Sequence, residues 1–279
     1  MRVMVKLAVA VYLGGLLAAC ENKGTGGTNG DTGTPPGGGS SEVAQPNKVI
    51  GRALDTQGKP LPNVQIYVGG AGVQTTPRWG TTNAEGRYVV EGFIEQFTYK
   101  AHGWLPVNYQ AKSFCLRLAH ENSSEYEPFV ARDGAIRNFR WKLQGRMEDS
   151  TGAPDTDSPY FGGGLRLFQE FSDGDYTGFV ELKFTPTGPL IDGSQGQPLT
   201  RTVDLSKPHF ASDIPVGPYK VTATRITTGG ARSALRVGPS WSELANESTL
   251  EFQPEIFQAC GSAVTSSGVE RAFLYVATP

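Results

Sequence analysis

The folded part of this sequence is marked by short runs in which apolar and polar residues alternate. In "NFRWKLQ" (138–144), Phe139, Trp141 and Leu143 fall on one side of an extended chain, and polar residues fall on the other. This period of two predicts a strand with one buried face. The pattern recurs between 63 and 278 in "NVQIYV", "GRYVVEG", "FTYKAHG", "KSFCLRL", "GLRLFQEF", "FVELKFTP", "TRTVDL", "YKVTATRI", "STLEFQ" and "RAFLYVAT".

Turn sequences separate these runs, among them "DTQG" (55–58) and "NAEG" (83–86). We interpret "FSDGDYTG" (171–178) as a hairpin turn rather than a cation-binding loop. Only "SWSELANE" (240–247) resembles even a short helix. Many short strands with regular turns and no long helix predict an all-β fold, either a sandwich or a barrel.

A turn sequence occurs twice, which predicts a duplicated domain. The stretches "IGRALDTQGKP" (50–60) and "QGRMEDSTGAP" (144–154) align without gaps and share five residues. In each, Asp can bond to its own backbone, Gly can take a positive φ, and Pro ends the turn. We therefore predict two tandem Greek-key sandwiches, at 47–143 and 144–279, although such Gly- and Pro-rich turns can also match by chance.

A second shared landmark supports the duplication. Tyr99-Lys100 and Tyr219-Lys220 each open a strand after a turn. These pairs lie farther apart than the two turn sequences, so the second copy must hold an insertion. The stretch "TPTGPLIDGSQGQPLT" (185–200) is the candidate for it.

The stretch from 48 to 143 also resembles a known family. "VIGRALDTQGKPLPNVQIYV" followed by "TTNAEGRYVVEGF" is similar to the carboxypeptidase regulatory-like domain, and the second half fits it less well. The residues at equivalent places are Gly51, Asp55, Gly58, Pro60, Leu61, Val64, Asn83, Gly86 and Tyr88. The resemblance implies a transthyretin-like sandwich of the carbohydrate-binding-like fold, which is an accessory module without catalytic residues.

The N-terminus carries an export signal. Residues 1–19 combine basic residues, a short apolar run and small residues before Cys20, as a secretory signal peptide does. "LAAC" (17–20) matches the lipobox of bacterial lipoproteins, which implies lipid on Cys20; the alternative is an ordinary signal peptide. Residues 20–46 are rich in Gly, Thr and Pro, so we expect a flexible tether with a span of roughly 25–30 Å. The expected location is the lipid-anchored face of a bacterial membrane, on the periplasmic or the outer side.

Composition and motifs argue against catalysis, cofactors and nucleic acid. The net charge of −2 leaves no basic stripe, and no nucleotide-binding or nucleophile motif is present. The three histidines, His102, His120 and His209, are too scattered to predict a zinc site. Asp149, Asp155 and Asp157 form an acidic cluster, which we interpret as a solvated linker rather than a calcium site. We expect no enzyme activity, no cofactor and no metal.

Two cysteines remain once Cys20 is assigned to lipid. Cys115 lies in the first half and Cys260 near the end of the second. In an oxidising compartment they could form a disulfide that joins the two halves. The alternative is two separately buried thiols.

Five aromatic residues occur in Gly-, Pro- and Ser-rich stretches, where we expect exposed loops. They are Trp79, Trp104, Tyr160, Phe161 and Trp241. Such rings can stack on sugar rings, or they can fold back over the ends of a sandwich.

Two classes of function follow, with a third as a remote alternative. The first is a tethered binding module for a glycan, an envelope polymer or an envelope protein, favoured if the aromatics share one face. The second is a structural or assembly lipoprotein that uses a free sheet edge or an apolar patch. The third, a hydrolase, would require a cleft that gathers the histidines with carboxylates.

Overall fold

The described chain is almost entirely β-structure. The computed structural model describes residues 42–149, 160–256, 260–261 and 266–279. Helical turns in these ranges are three 3₁₀ segments, at Ser123–Tyr126, Ala131–Asp133 and Trp241–Glu243. The last of them lies inside the stretch that we predicted as a short helix. The all-β prediction is therefore confirmed.

The strands fall into two series along the chain. In the first are β1 (Lys48–Leu54), β2 (Gln65–Gly70), β3 (Arg78–Thr81), β4 (Arg87–Glu91), β5 (Thr98–Tyr109), β6 (Lys112–Arg117), β7 (Ala119–His120), β8 (Phe129–Val130), β9 (Ala135–Ile136) and β10 (Phe139–Arg140). In the second are β11 (Gly163–Glu170), β12 (Phe179–Pro186), β13 (Leu199–Asp204), β14 (Phe210–Ile214), β15 (Pro218–Ile226), β16 (Arg232–Gly238), β17 (Ser248–Glu251) and β18 (Ala272–Ala277).

The first series builds two sheets. Sheet I has the order β4-β1-β10-β7 with β9 beside β1, and sheet II has the order β3-β2-β5-β6 with β8 beside β5. The two sheets pack against each other across Phe139 of sheet I, whose ring lies directly against Gly103 of sheet II. A Cβ at Gly103 would stand 3.1 Å from that ring, so glycine is what lets the sheets approach here.

The second series builds sheet III, with the order β13-β12-β15-β16-β18-β11-β14 and β17 beside β15. Its end strands, β13 and β14, follow each other in the chain. Arg201 on β13 connects these two ends, because its Nε donates to the carbonyl of Ser212 on β14 at 2.8 Å. β11 and β18 run parallel in the middle of the sheet.

The turn after β1 is built as its sequence indicates. The backbone N–H groups of Gln57 and Lys59 both donate to the Asp55 side chain at 2.8 Å, and Gly58 has a φ of +83°. Asn83 organises the turn before β4 in the same way, by accepting from the N–H groups of residues 85 and 87.

The second copy of that turn sequence begins differently. Residues 144–149 do not form a strand, and Arg146 pairs with Tyr160 in an isolated bridge. Positions 150–154 lie outside the described residues. In the described part of the two copies, only the first opens a sheet in the way that the repeat predicts, because β1 has partners on both sides.

The second landmark is a buried tyrosine in each series, although the two hydroxyls bond in opposite directions. Tyr99 on β5 and Tyr219 on β15 are both buried. The Tyr99 hydroxyl accepts from the N–H of Ile94 at 3.1 Å, and the Tyr219 hydroxyl donates to the carbonyl of Pro215 at 2.8 Å. Each tyrosine hydroxyl thus forms a hydrogen bond with a backbone group shortly before its own strand. The candidate insertion, 185–200, contains the loop between β12 and β13.

The loop at 171–178 is not a hairpin, so that interpretation is wrong. It joins β11 to β12, and these strands have different neighbours in sheet III. The buried guanidinium of Arg225 organises the loop, donating to Asp173 at 2.7 Å and lying 4.3 Å from the centre of the Phe171 ring. An internal cation holds the carboxylates, so the loop needs no bound ion to keep its shape.

Apolar side chains from all three sheets form one contiguous buried cluster. Direct contacts also join the two series. The Thr56 hydroxyl donates to Asp192 at 2.7 Å, and the Tyr109 hydroxyl donates to the carbonyl of Pro189 at 2.6 Å. The Greek-key order and the division at 143/144 remain predictions.

Candidate functional site

A row of aromatic side chains crosses the outer face of sheet II. Tyr67 on β2 stands opposite Trp79 on β3 and opposite His102 on β5. The Tyr67 ring meets Trp79 edge-on at 5.0 Å between centroids and lies nearly parallel to His102 at 6.2 Å. Tyr67 and His102 alternate along their strands with core residues, and Trp79 stands opposite Tyr67, so these side chains point away from the core. Trp79 is 47% exposed.

A cation lies beside this row. Lys100 is two positions before His102 on β5 and shares its face. Its Nζ lies 3.8 Å from the centre of the ring of Tyr126, which comes from the 3₁₀ segment after β7. Among the described residues, no carboxylate lies within ion-pair distance of Lys100.

Tyr67, Lys100, His102 and Tyr126 bound an open groove of about 680 Å³, which we call groove A. A volume of this order suits a small ligand or a few sugar units. The lining residues are Tyr67, Gly69, Gly70, Ala71, Gly72, Thr98, Lys100, His102, Tyr126, Pro128 and Asp149.

The carboxylate of Asp149 at this groove already has a partner. It accepts from the buried guanidinium of Arg117 on β6 at 3.1 Å. Arg117 also lies 5.6 Å from the centre of the Trp104 ring. Because Asp149 is neutralised by Arg117, Lys100 leaves groove A with a local positive charge.

The two histidines near groove A are held neutral. Burial lowers the pKa of His102 well below its usual range, and nearby Arg117 lowers it further. Burial together with Arg117 lowers the pKa of His120 to about 3. Both rings lie near Tyr126, at 6.2 and 5.9 Å between centroids. The Nδ1 atom of His102 is buried without a hydrogen bond to any described residue.

A disulfide supports the Trp79 end of the row. Cys115 on β6 and Cys260 are bonded, with their Cα atoms 5.4 Å apart. The next residue, Gly261, fits between two tryptophans: a Cβ there would stand 2.9 Å from Trp104 and 3.0 Å from Trp79. The disulfide therefore holds a glycine against the aromatic row.

The edge of sheet II is covered beside this disulfide. The backbone N–H of Arg117 donates to the carbonyl of Ser267 at 3.0 Å, and Gly268 lies against the carbonyl of Cys115. β6 is thus not free along this stretch for strand addition by a partner.

The structure separates the five aromatic residues that we predicted as stacking groups. Trp79 lies beside Tyr67 on the outer face of sheet II but does not line groove A, and Trp241 is 45% exposed on the side of sheet III. Tyr160 is half-buried beside Arg146. They do not share one face.

The stacking role that we predicted is wrong for two of these five residues. Trp104 is fully buried within β5, where Gly103 and Pro106 belong to the strand rather than to a loop. Phe161 is also buried, packed with Ala119 and Met147. Neither ring has a free face for a ligand.

The remaining sequence-based candidates have varied outcomes. Asp155, Asp157 and Cys20 lie outside the described residues. His209 lies on the side of sheet III, apart from His102 and His120. Within the described ranges, no group of three or more His, Cys, Asp or Glu side chains is placed to hold a metal ion. Nor does any helix there have the length and apolar character needed to cross a membrane.

Sequence reasoning missed Tyr67, Lys100 and Tyr126. For Tyr67 the signal was present, because "NVQIYV" puts it on the polar side of its strand. Tyr126 has no comparable signal, since only the fold returns its 3₁₀ segment to the face of sheet II.

No protein-family model matches this chain, and no curated protein sequence is significantly similar to it. Among solved structures, the chain is similar to the Bacillus anthracis TIE protein, with 10% identity and a TM-score of 0.31 over 83% of this chain and 34% of that one. It therefore spans about a third of that protein's length. It is also similar to the Streptococcal ancillary pilin (9% identity, TM-score 0.25, 83% and 69% of the two chains) and to the shaft pilin of Lactobacillus rhamnosus GG (10%, 0.21, 84% and 99%).

Proposed function

We propose that this chain is an exported, non-catalytic binding module that holds a glycan of the cell envelope in groove A. The observation that carries the proposal is groove A itself, where the rings of Tyr67 and Tyr126 and the Lys100 cation line one open surface, with exposed Trp79 beside Tyr67. Aromatic rings offer flat apolar surfaces that match the apolar face of a pyranose, and polar groups around them bond to hydroxyls.

Groove A lacks the arrangement that nucleophilic catalysis needs. The His102 ring makes no hydrogen bond to a hydroxyl or a thiol among the described residues, and burial keeps it neutral. A nucleophile held by a base within hydrogen-bond reach is the minimum for that chemistry. The groove supports binding better than hydrolysis, although it gathers one histidine with a carboxylate.

The membrane anchor is the second part of the proposal. The lipobox at 17–20 supports lipid on Cys20, and residues 20–46 supply a tether long enough to present the sheets away from the bilayer. The resemblance to the carboxypeptidase regulatory-like domain supports an accessory role. A Cys20→Ser variant should move from the membrane fraction to the soluble fraction of the cell envelope; unchanged membrane association would contradict lipidation.

A retention assay tests the binding proposal. The full chain, purified in detergent, is incubated with insoluble envelope and plant polysaccharides, and the retained fraction is measured as a function of protein concentration. Trp79→Ala and Tyr126→Ala should each weaken retention several-fold, since a stacking contact contributes about 0.5–1.5 kcal/mol. Retention that both variants leave unchanged would remove groove A as the site.

A matched control excludes a general loss of exposed aromatic surface. Tyr176 is 45% exposed on the loop between β11 and β12 and stacks on Phe171, away from groove A. The Tyr176→Ala variant should be retained on the polysaccharides as tightly as the unmodified chain. Circular dichroism and the thermal midpoint check that each variant is folded.

A further inference from the structure

A second groove lies on the outer side of sheet III. It has a volume of about 400 Å³ and combines aromatic rings with polar side chains. We call it groove B. Its lining residues are Arg166, Leu167, Phe168, Gln169, Pro208, His209, Phe210 and Trp241.

The aromatic rings of groove B form a connected row across three elements. Trp241, from the 3₁₀ segment, meets Tyr275 on β18 edge-on at 4.9 Å between centroids. Tyr275 stacks on Phe168 of β11 at 5.0 Å, with 16° between the planes. Because Tyr275 and Phe168 support each other, Trp241 is held at the edge of the groove with nearly half of its surface exposed.

A cation ends this row. The guanidinium of Arg166 lies 5.1 Å from the centre of the Phe168 ring. Arg166 is exposed, and no carboxylate of the described residues lies within ion-pair distance of it. A guanidinium on an aromatic ring keeps its N–H donors free at its edge, and those donors match the two oxygens of a carboxylate.

Gln169 and His209 add polar groups inside groove B. The Gln169 amide nitrogen lies 3.4 Å from His209 Nε2. These side chains add hydrogen-bonding groups to the lining of groove B. An apolar protein surface would leave these polar groups without hydrogen bonds, whereas the hydroxyls of a sugar can bond to them.

Groove B has the same chemistry as groove A. In each, a cation rests on an aromatic ring and lacks a carboxylate partner: Lys100 on Tyr126, and Arg166 on Phe168. The chain as a whole has a net charge of −2, so these cations are local features. A neutral glycan would leave both of them unused.

We propose that groove B is a second glycan site and that it takes an acidic oligosaccharide, with one sugar ring against Trp241 and the carboxylate of another unit on Arg166. The choice of a glycan rests on the proposed function of groove A, but the two sites can be tested separately. Two sites on one chain raise the retention on a polymer beyond what either site gives.

The test compares two polymers that share one backbone. Polygalacturonic acid carries free carboxylates, and its methyl ester carries none. The full chain in detergent should be retained on the immobilised acid at least tenfold more tightly than on the ester, and added salt should reduce the difference. Alginate and hyaluronate serve as further acidic polymers. Equal retention on acid and ester, or no retention on any acidic polymer, overturns the proposal.

Variants separate the two grooves. Arg166→Gln should weaken retention on the acid about tenfold, leave retention on the ester unchanged, and be partly rescued by Arg166→Lys. Trp241→Ala should weaken retention on both the acid and the ester, and Tyr176→Ala should weaken retention on neither polymer. If Tyr126→Ala weakens retention but the Arg166 and Trp241 variants do not, groove B is overturned and groove A stands. The reverse pattern overturns groove A alone.

Discussion

His120 is a basic residue that the fold keeps uncharged. It is 1% exposed, its ring lies 4.8 Å from that of Phe139, and its pKa is lowered to about 3. His102 is shifted in the same direction, first by burial and then by Arg117. Both shifts make protonation unfavourable in the folded state relative to an unfolded chain, where the pKa is near 6.5.

These shifts predict a loss of stability on the acid side of neutrality. The unfolded chain takes up protons below pH 6.5 that the folded chain cannot take up at these two sites. Their contribution is therefore fully present above pH 6.5 and is lost as the pH falls, by up to about 1.4 kcal/mol per pH unit for each histidine.

Urea unfolding between pH 7.5 and 4.5 measures this loss. The free energy of unfolding of the unmodified chain should fall as the pH is lowered through that range. His120→Gln should make this dependence on pH less steep, because one fewer proton is taken up on unfolding. A slope that the substitution leaves unchanged would mean that His120 is not buried as a neutral ring.

At the scale of elements, alternation predicted strands well but did not predict their partners. β12 and β15 coincide closely with alternating runs, because one face of each is buried. β3 was missed, since its four residues are all partly or fully exposed and so show no alternation. The loop at 171–178 was misread because strand pairing depends on contacts far along the chain.

Trp104 shows why part of the site could not be predicted. Its neighbours Gly103 and Pro106 indicate a loop, yet both belong to β5. Gly103 is there because Phe139 of the opposite sheet lies against it. That reason exists only in the folded molecule. Groove A likewise depends on the fold, because its lining comes from β2, β5 and the 3₁₀ segment at Ser123–Tyr126.

The disulfide is the element on which the Trp79 end of the aromatic row beside groove A depends. It closes a sequence separation of 145 residues, and in the chain-entropy model such a bond contributes about 3–5 kcal/mol. It also holds Gly261 against Trp79 and Trp104. Removing it should lower the free energy of unfolding and loosen the Trp79 ring.

A Cys115→Ala, Cys260→Ala double variant tests both effects. Urea unfolding should show a loss of a few kcal/mol. The double variant should be retained on polysaccharide less tightly than the unmodified chain, because the Trp79 ring is loosened. Groove B should change little, so an added Trp241→Ala substitution should weaken retention as much as it does in the unmodified chain. If the variant loses stability but keeps full retention, the disulfide has no part in shaping groove A.

At the scale of the whole molecule, the question is whether the two series of strands unfold together. The described chain from Glu42 onward forms one compact unit, and one contiguous cluster of buried apolar side chains draws on all three of its sheets. Polar contacts add to this: Lys112 pairs with Glu251 at 3.1 Å, and Tyr109 bonds to the carbonyl of Pro189. The disulfide links the same two series.

We therefore expect a single calorimetric transition with equal calorimetric and van't Hoff enthalpies. The argument is that neither series can open without exposing apolar surface of the other and breaking contacts at Tyr109 and Thr56. Two resolved transitions would instead support independent domains at 47–143 and 144–279. Tyr109→Phe and Thr56→Val, which remove the contacts to Pro189 and Asp192, should broaden the transition if docking couples the two series. A single transition that they shift only slightly would assign the coupling to the shared core.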